Sequence, residues 1–458
     1  MSADVLVVGA GPAGLAAAQA LASDGAKVTL LERRPYVGGR AYSYEHPSLE
    51  EVVDSQHVLL GCCTNLMHLL KESGAADTVR WYDEFHFMEP GGRVSTIRPG
   101  GMPSPMHSAM SFLSAPMLRM GDRLAIARGM MEFLRGRPSG DDESLEQWLK
   151  RTGQTERAIR HFWEPVVVGT LNDVPARCSM RYAGQVFHEA FLRSAEGGRF
   201  GVPRVPLSEM YGSVAAAAEK RGCKLVTRAG VERLEQTNGG WTAHTSDGNF
   251  TAGNVILALP FEQAQKLIVL LPESDARAEM MERLVNFVHA PITTIHLWWD
   301  RDVTGMDHAA LLDTRIQWMF NKTRIRGVKP VNGYYVELDI SASATELAMG
   351  REEIVTSAVR EMTLFFPRVL EAELLKCGVL KEARATFSVV PGLDESRPAA
   401  QTAWPGLFVA GDWTRTNWPS TMEGAVRSGY LAAGAAAGKR YLQPDIQPAG
   451  LMRWLARS

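Results

Sequence analysis

The spacing of apolar positions changes along the chain, and each change marks an element. Asp4 to Val8 is a short run rich in valine, the pattern of a strand buried on both faces. Ala16 to Leu21 is alanine-rich and favours helix. A second apolar run, Val28 to Leu31, ends at Glu32. Further strands are expected at Lys224 to Thr227, Val231 to Leu234, Gly240 to Thr245 and Asn254 to Pro260. The middle two pair across the turn at Asn238-Gly239. Ser208 to Glu219 reads as helix, and Phe408 to Ala410 as a short buried strand. Pro291 to Trp299, Ile316 to Phe320 and Tyr334 to Leu338 read as strands, and Glu352 to Phe366 as a long amphipathic helix. Ser144 to Gln147 has the pattern of a capping box ahead of Trp148 and Leu149.

These elements divide the chain. Residues 1–60, 205–264 and 401–440 are the three parts of one discontinuous α/β domain of Rossmann-like, nucleotide-binding type. A mainly helical unit, 61–204, interrupts it first. An α+β unit, 265–400, interrupts it again and is expected to roof a pocket with a mixed sheet. Residues 441–458 form a tail that ends apolar and basic, from Leu451 to Arg457.

The joint between the first strand and helix carries the first chemistry. Gly9, Gly11 and Gly14 fall on a dinucleotide fingerprint, with Pro12 and Ala13 between them. Gly9 permits the tight turn, Gly11 the approach of a pyrophosphate, and Gly14 close packing of helix on strand. The helix start offers free N–H groups and a positive dipole end. Glu32 stands where an acid accepts hydrogen bonds from the adenosine ribose. Arg33, Gly39 and Arg40 continue the cradle, and Val231 adds to it from the middle part of the domain. At the far end of the chain, Gly411 and Asp412 follow a buried strand, and Met422, Gly424 and Ala425 open a helix. Asp412 suits ribityl hydroxyls. A helix start there stabilises negative charge on a reduced isoalloxazine.

Composition narrows the class. The 458 residues suffice for two or three domains, and a net charge of −2 leaves no bulk field to draw nucleic acid. No zinc-ligand spacing occurs, so no metal is expected. Cys62, Cys63, Cys178, Cys223 and Cys377 are odd in number and contain no CxxC, which fits free thiols in a reducing cytoplasm. The adjacent Cys62 and Cys63 also admit a strained redox pair. Residues 5–22 lack a basic flank and are broken by glycine and proline, so the cofactor turn explains them better than a signal or a span.

The extension Gly38-Gly39-Arg40 resembles that of the flavin amine oxidase and phytoene desaturase superfamily, which implies FAD rather than a nicotinamide nucleotide. More specific stretches are Gln56 to Gly61, Phe162 to Val168, Gly201 to Ser208, Gly411 to Thr416 and Met422 to Tyr430. They resemble bacterial hydroxysqualene dehydroxylase, nearly end to end through about residue 440. Ser55 departs from the glycine expected of that family. The resemblance implies reductive removal of the hydroxyl of hydroxysqualene, giving squalene and water, with FAD entering reduced. It implies no covalent flavin link, since Thr414 to Ser420 contains no cysteine. A single dinucleotide cradle suggests a separate electron donor. The rival readings are a carotenoid-type desaturase and a non-catalytic FAD-binding scaffold.

The reaction needs an acid to protonate the leaving hydroxyl. His57, Glu164 and Asp54 lead the candidates, with Asp173 and Glu337 behind them. Each has a plainer reading: a hydrogen-bonded histidine near the flavin, a helix end, a turn cap, a loop acid, a solvated strand residue. Trp298, Trp299, Trp318, Phe320, Tyr334 and Tyr335 could stabilise an allyl cation, and at strand spacing half of them would face the pocket. Arg160 and Arg204 are expected in ion pairs with structural acids. A triterpene partner calls for peripheral contact with the cytoplasmic face of a membrane. Met102 to Arg135, with its methionines and arginines, is a candidate for that contact, the alternative being ordinary core with a solvated basic face.

Overall fold

The computed structural model describes residues 2–455; Met1 and, in the tail, Ala456, Arg457 and Ser458 lie outside the described residues. The first sheet is assembled from three distant parts of the chain. Ser2–Val8 runs parallel between Val28–Leu31 and the long strand Gly248–Ala258, and Lys224–Val226 extends the sheet beyond Val28–Leu31. The second half of Gly248–Ala258 pairs in parallel with Leu407–Ala410. Its first half belongs to an antiparallel meander with Gly240–Thr245 and Val231–Thr237. Leu6 and Val7 are fully buried, as an apolar run flanked on both sides requires. The helices Pro12–Ser23 and Met422–Ala437 cover this sheet together. They approach closely because Gly429 has no side chain: a Cβ there would stand 2.1 Å from the Ala13 carbonyl oxygen.

The second sheet also has seven strands. Leu374–Phe387 forms one edge and is followed by His289–Trp299, Tyr334–Ser341, Trp318–Asn321 and His308–Leu311. Phe85–Glu89 and Arg93–Ile97 complete the other edge. Residues 61–204 are therefore not simply a helical insertion. They supply this hairpin, and also Val79–Tyr82 and Phe200–Pro203 of a small three-stranded sheet. Their helices, from Ala109–Ser114 to the turns before Gly198, pack around Phe133, Trp148, Trp163 and Phe187. Ser144 and Gln147 form the expected capping box. One face of the second sheet, carrying Leu297, Val336, Leu338 and Met319, rests on helix Arg351–Phe365. The other face turns toward the first domain.

Candidate active site

A cavity of about 660 Å³ lies where the two ends of the chain meet. From the first end, Gly9, Gly11, Pro12 and Ala13 line it, then Glu32, Arg33, Gly39 and Arg40. Val231 lines it from the middle part, and Gly411, Asp412, Met422 and Ala425 from the far end. Of the residues expected to hold the cofactor, Gly14 and Gly424 stand behind this wall rather than in it. Their role is backbone packing. A Cβ on Gly14 would stand 1.8 Å from the Gly9 carbonyl oxygen, and one on Gly424 would stand 2.5 Å from that of Pro419. Gly9 itself has φ +102°, and a Cβ there would meet the Ala258 carbonyl oxygen at 2.5 Å. Gly39, at φ +61°, brings its backbone against Gly11. The cradle is thus built of bare backbone, which is what a diphosphate needs.

Charged groups brace the cradle. Glu32 accepts hydrogen bonds from the Ala10 and Arg34 N–H groups, both at 2.8 Å, so it holds the glycine turn as well as facing the cavity. Arg40 pairs with Asp412 at 2.5 Å and also donates to the Ala385 carbonyl at 3.1 Å. Ser420 donates to the other oxygen of Asp412 at 2.5 Å. The Thr421 hydroxyl caps helix Met422–Ala437 by accepting from the Gly424 N–H at 3.1 Å. The positive end of that helix therefore points at the cavity.

A second, more apolar cavity of about 190 Å³ shares Gln56, Val58, Ile292, Thr421 and Met422 with the first. Leu60, Phe85, Phe87, Val166, Phe200, Trp318 and Phe320 supply much of its wall. Of the six expected aromatics, Trp318 and Phe320 reach it. Trp298 and Tyr335 are on the same face but stack on each other in a separate cluster with Leu49 and Val53. Trp299 packs into the core on the opposite face, with Tyr334 against that core.

The candidate acids separate clearly. His57 lines the first cavity and donates from Nδ1 to the Ser55 carbonyl at 2.7 Å, and burial pushes its pKa below the ordinary histidine value. Glu164 lines neither cavity; burial raises its pKa, with Arg160 opposing. Asp54 lies beneath the surface, 2% exposed. It accepts from the Ser43 hydroxyl at 2.6 Å and pairs with Lys322 at 3.2 Å. Burial opposes ionisation of Asp54, yet Lys322 and Arg326 hold its pKa below the ordinary value. Glu337 is fully buried, not solvated, and shares Lys322 at 3.2 Å. Burial lifts its pKa to about 7, against the pull of Lys322. Asp173 ties Arg177 and Ser388 together in a loop. Arg160 pairs with Asp313 at 2.6 Å, as expected, whereas no carboxylate among the described residues pairs with Arg204.

Three acids line the apolar cavity: Glu189, which holds Arg193, Glu423, which accepts from Asn65 and the Leu66 N–H, and Asp339, 8% exposed and paired with no cation. The Thr294 hydroxyl donates to it at 2.8 Å. Burial, with the nearby Glu337, raises its pKa well above the ordinary carboxylate range. Sequence reasoning passed over it because Tyr335, Glu337, Asp339 and Ser341 alternate with Val336, Leu338 and Ile340, the pattern of a strand with one wet face. Nothing in the sequence alone separates that pattern from a strand whose polar face is roofed over.

A discontinuous dinucleotide-binding domain under a seven-stranded roof defines the class as a two-domain flavoprotein oxidoreductase. The family model for flavin containing amine oxidoreductase matches residues 12–437, and the chain belongs to that family. FAD is its cofactor. The 15-cis-phytoene desaturase of Solanum lycopersicum is 24% identical over 94% of this chain and 77% of its own length. A zeta-carotene desaturase of Synechocystis sp. is 24% identical, over 94% and 96% respectively. Among solved structures, an oxidoreductase from Methanosarcina mazei superposes with a TM-score of 0.72 at 18% identity, covering 95% of this chain and all of that one; it shares the fold.

Proposed function

We propose that this flavoenzyme works reductively on an allylic alcohol of a long isoprenoid, removing the hydroxyl of hydroxysqualene to give squalene and water. The observation that carries the reading is Asp339, a buried carboxyl, its pKa raised by burial, in an apolar cavity that shares walls with the cofactor cavity. Hydroxide leaves poorly unless it is protonated as the C–O bond breaks. Thr294 holds one Asp339 oxygen and leaves the other to carry the proton. Trp318 and Phe320 offer ring faces to a developing allyl cation, worth about 0.5–2 kcal/mol each. The apolar walls exclude the water that would recapture that cation. Reduced FAD, when bound, supplies the hydride. A triterpene exceeds a cavity of about 190 Å³, so the reading requires its wall to widen as the substrate enters.

The carotene-desaturating relatives favour a second reading, oxidation of a polyene, in which a protonated acid has no task. Anaerobic mixing separates the two. Pre-reduced protein given hydroxysqualene should return to oxidised flavin and yield squalene in equal amount. A flavin that stays reduced, together with oxidised protein that is reduced by phytoene, would transfer the case to desaturation.

Such a substrate resides in bilayers, and a surface suited to them is present. Met102, Met106, Met110, Leu113, Met120 and Met131 are exposed, while Met117, Leu118, Ile126 and Phe133 are core, so the stretch serves both purposes. The Leu451 N–H donates to the Ser104 carbonyl at 2.8 Å, which sets exposed Leu451 against the loop bearing Met102 and Met106. Trp454, 88% exposed, follows one turn later. Arg119 and Arg128 stand exposed along the same stretch and suit an anionic, cytoplasm-facing lipid surface. Among the described residues no helix is long and apolar enough to cross a membrane.

A further inference from the structure

Gln185 closes helix Met180–Val186, lines the apolar cavity and is 3% exposed. Its amide nitrogen has no hydrogen-bond partner. The other long polar side chains of that wall are engaged by the protein. Gln56 donates to the His57 carbonyl and accepts from Lys322. Glu189 holds Arg193, and Glu423 accepts from Asn65 and from the Leu66 N–H. A primary amide carries two donors, and burial without an acceptor is costly. The backbone here is also unusual. Directly after Gln185 and Val186 the helix passes into a π turn, Phe187–Leu192, and a second π turn, Ile159–Trp163, leads into the helix that brings Val166 to the same cavity. Such turns add a residue to the helical circuit and re-aim the side chains beside them.

We propose that Gln185 recognises an oxygen atom of the ligand, so that the cavity takes an oxygenated isoprenoid in preference to a hydrocarbon of the same skeleton. The inference rests on the reading of this cavity as an isoprenoid site. A hydrocarbon would leave the amide buried and unpaired, whereas a hydroxyl serves either end of it. In a ligand with one hydroxyl, that oxygen is also the one Asp339 must reach. Recognition by an amide separates this cavity from one shaped only by apolar walls, which distinguishes chain length and bend but not oxygen.

The test uses FAD-loaded, oxidised protein in detergent micelles, so that binding is read from perturbation of the flavin spectrum without turnover. The probes are geranylgeraniol and the hydrocarbon that has hydrogen in place of its hydroxyl. The wild type should bind the alcohol about 5- to 100-fold more tightly at equal micellar fraction. Gln185→Met, of similar length and shape, should erase that preference and leave the hydrocarbon bound as well or better. Gln185→Asn, which keeps the amide one methylene shorter, should retain part of it. A wild type without preference, or a Gln185→Met protein that keeps the preference, overturns the assignment. If Gln185→Met fails to hold FAD, the wild-type preference and the Gln185→Asn protein still decide. Two lipids bound equally would remove Gln185 alone; two lipids that leave the flavin unperturbed would remove the isoprenoid reading and Gln185 with it.

Discussion

Asp339 and Lys322 show how single side chains set the chemistry of this site. Lys322 sits 4% exposed by side chain, with Asp54 and Glu337 each at 3.2 Å and the Gln56 side-chain Oε1 at 2.7 Å. One buried cation pairs with two carboxylates; the third acid in the row, Asp339, forms no ion pair, and burial with the nearby Glu337 raises its pKa well above the ordinary carboxylate range against the pull of Lys322. On the dehydroxylation proposed above, Asp339→Asn should lower turnover about 100-fold or more while FAD stays bound. The protonated carboxyl is the working form. The wild-type rate should hold at low pH and fall as pH rises through the raised Asp339 pKa, and the Asp339→Asn protein should lack that limb; stopped-flow oxidation of pre-reduced flavin across pH measures both. Lys322→Met strands two buried carboxylates and should cost about 3–5 kcal/mol of stability in urea titrations. Because burial has already lifted Glu337 to about 7, protonation relieves the strain, and the loss should be smaller at acid pH than at alkaline pH. Asp54 and Glu337 were named as candidate acids from the sequence, but Asp339 and Lys322 were not legible as part of a site. Alternation on a strand gives the same letters whether the polar face meets water or a roofed cavity, and only the tertiary partner tells them apart.

At the scale of elements, the glycine turn was readable because its constraint is local: no side chain fits between strand and helix whatever surrounds them. Gly14→Val tests that directly. Its side chain would meet the Gly9 carbonyl oxygen, so the purified protein should emerge colourless, with little FAD and a lowered melting temperature. Flavin absorbance and thermal unfolding read both. Strands with strong apolar runs, such as those ending at Ala258 and Trp299, were equally readable, with bounds shifted by a few residues. Leu374–Phe387 and the hairpin Phe85–Glu89 with Arg93–Ile97 were not. Leu374–Phe387 and Arg93–Ile97 are the two edge strands of the second sheet, where one flank is unpaired and charged residues are tolerated, so the apolar signal thins out. The hairpin also joins its sheet by pairing with His308–Leu311, a contact more than two hundred residues away that no local pattern announces.

The whole molecule joins a polar cofactor cleft, an apolar cavity and an exposed apolar rim. The rim gives a prediction of its own. Met110→Asp combined with Leu113→Asp should cut co-sedimentation with vesicles containing anionic lipid several-fold, while FAD content and melting temperature stay near those of the wild type, since both side chains are largely exposed. Unchanged sedimentation would assign these residues to ordinary surface. At this scale the sequence led to two chain ends meeting under an intervening roof, and in the structure both ends line one cavity. The sequence could not supply which parts of 61–204 belong to the roof, because that depends on strand order rather than on pattern.

The Arg40–Asp412 pair joins residues 372 positions apart in the chain. A nascent polypeptide therefore carries only half a cradle for most of its synthesis, and it can retain flavin only once the strand Leu407–Ala410 and the helix after it have left the ribosome. Yellow colour in this protein is in effect a signal that synthesis has passed that helix: a chain stopped before it should leave the ribosome pale, with its apolar cavity open to chaperones and proteases, however well its first sixty residues have folded.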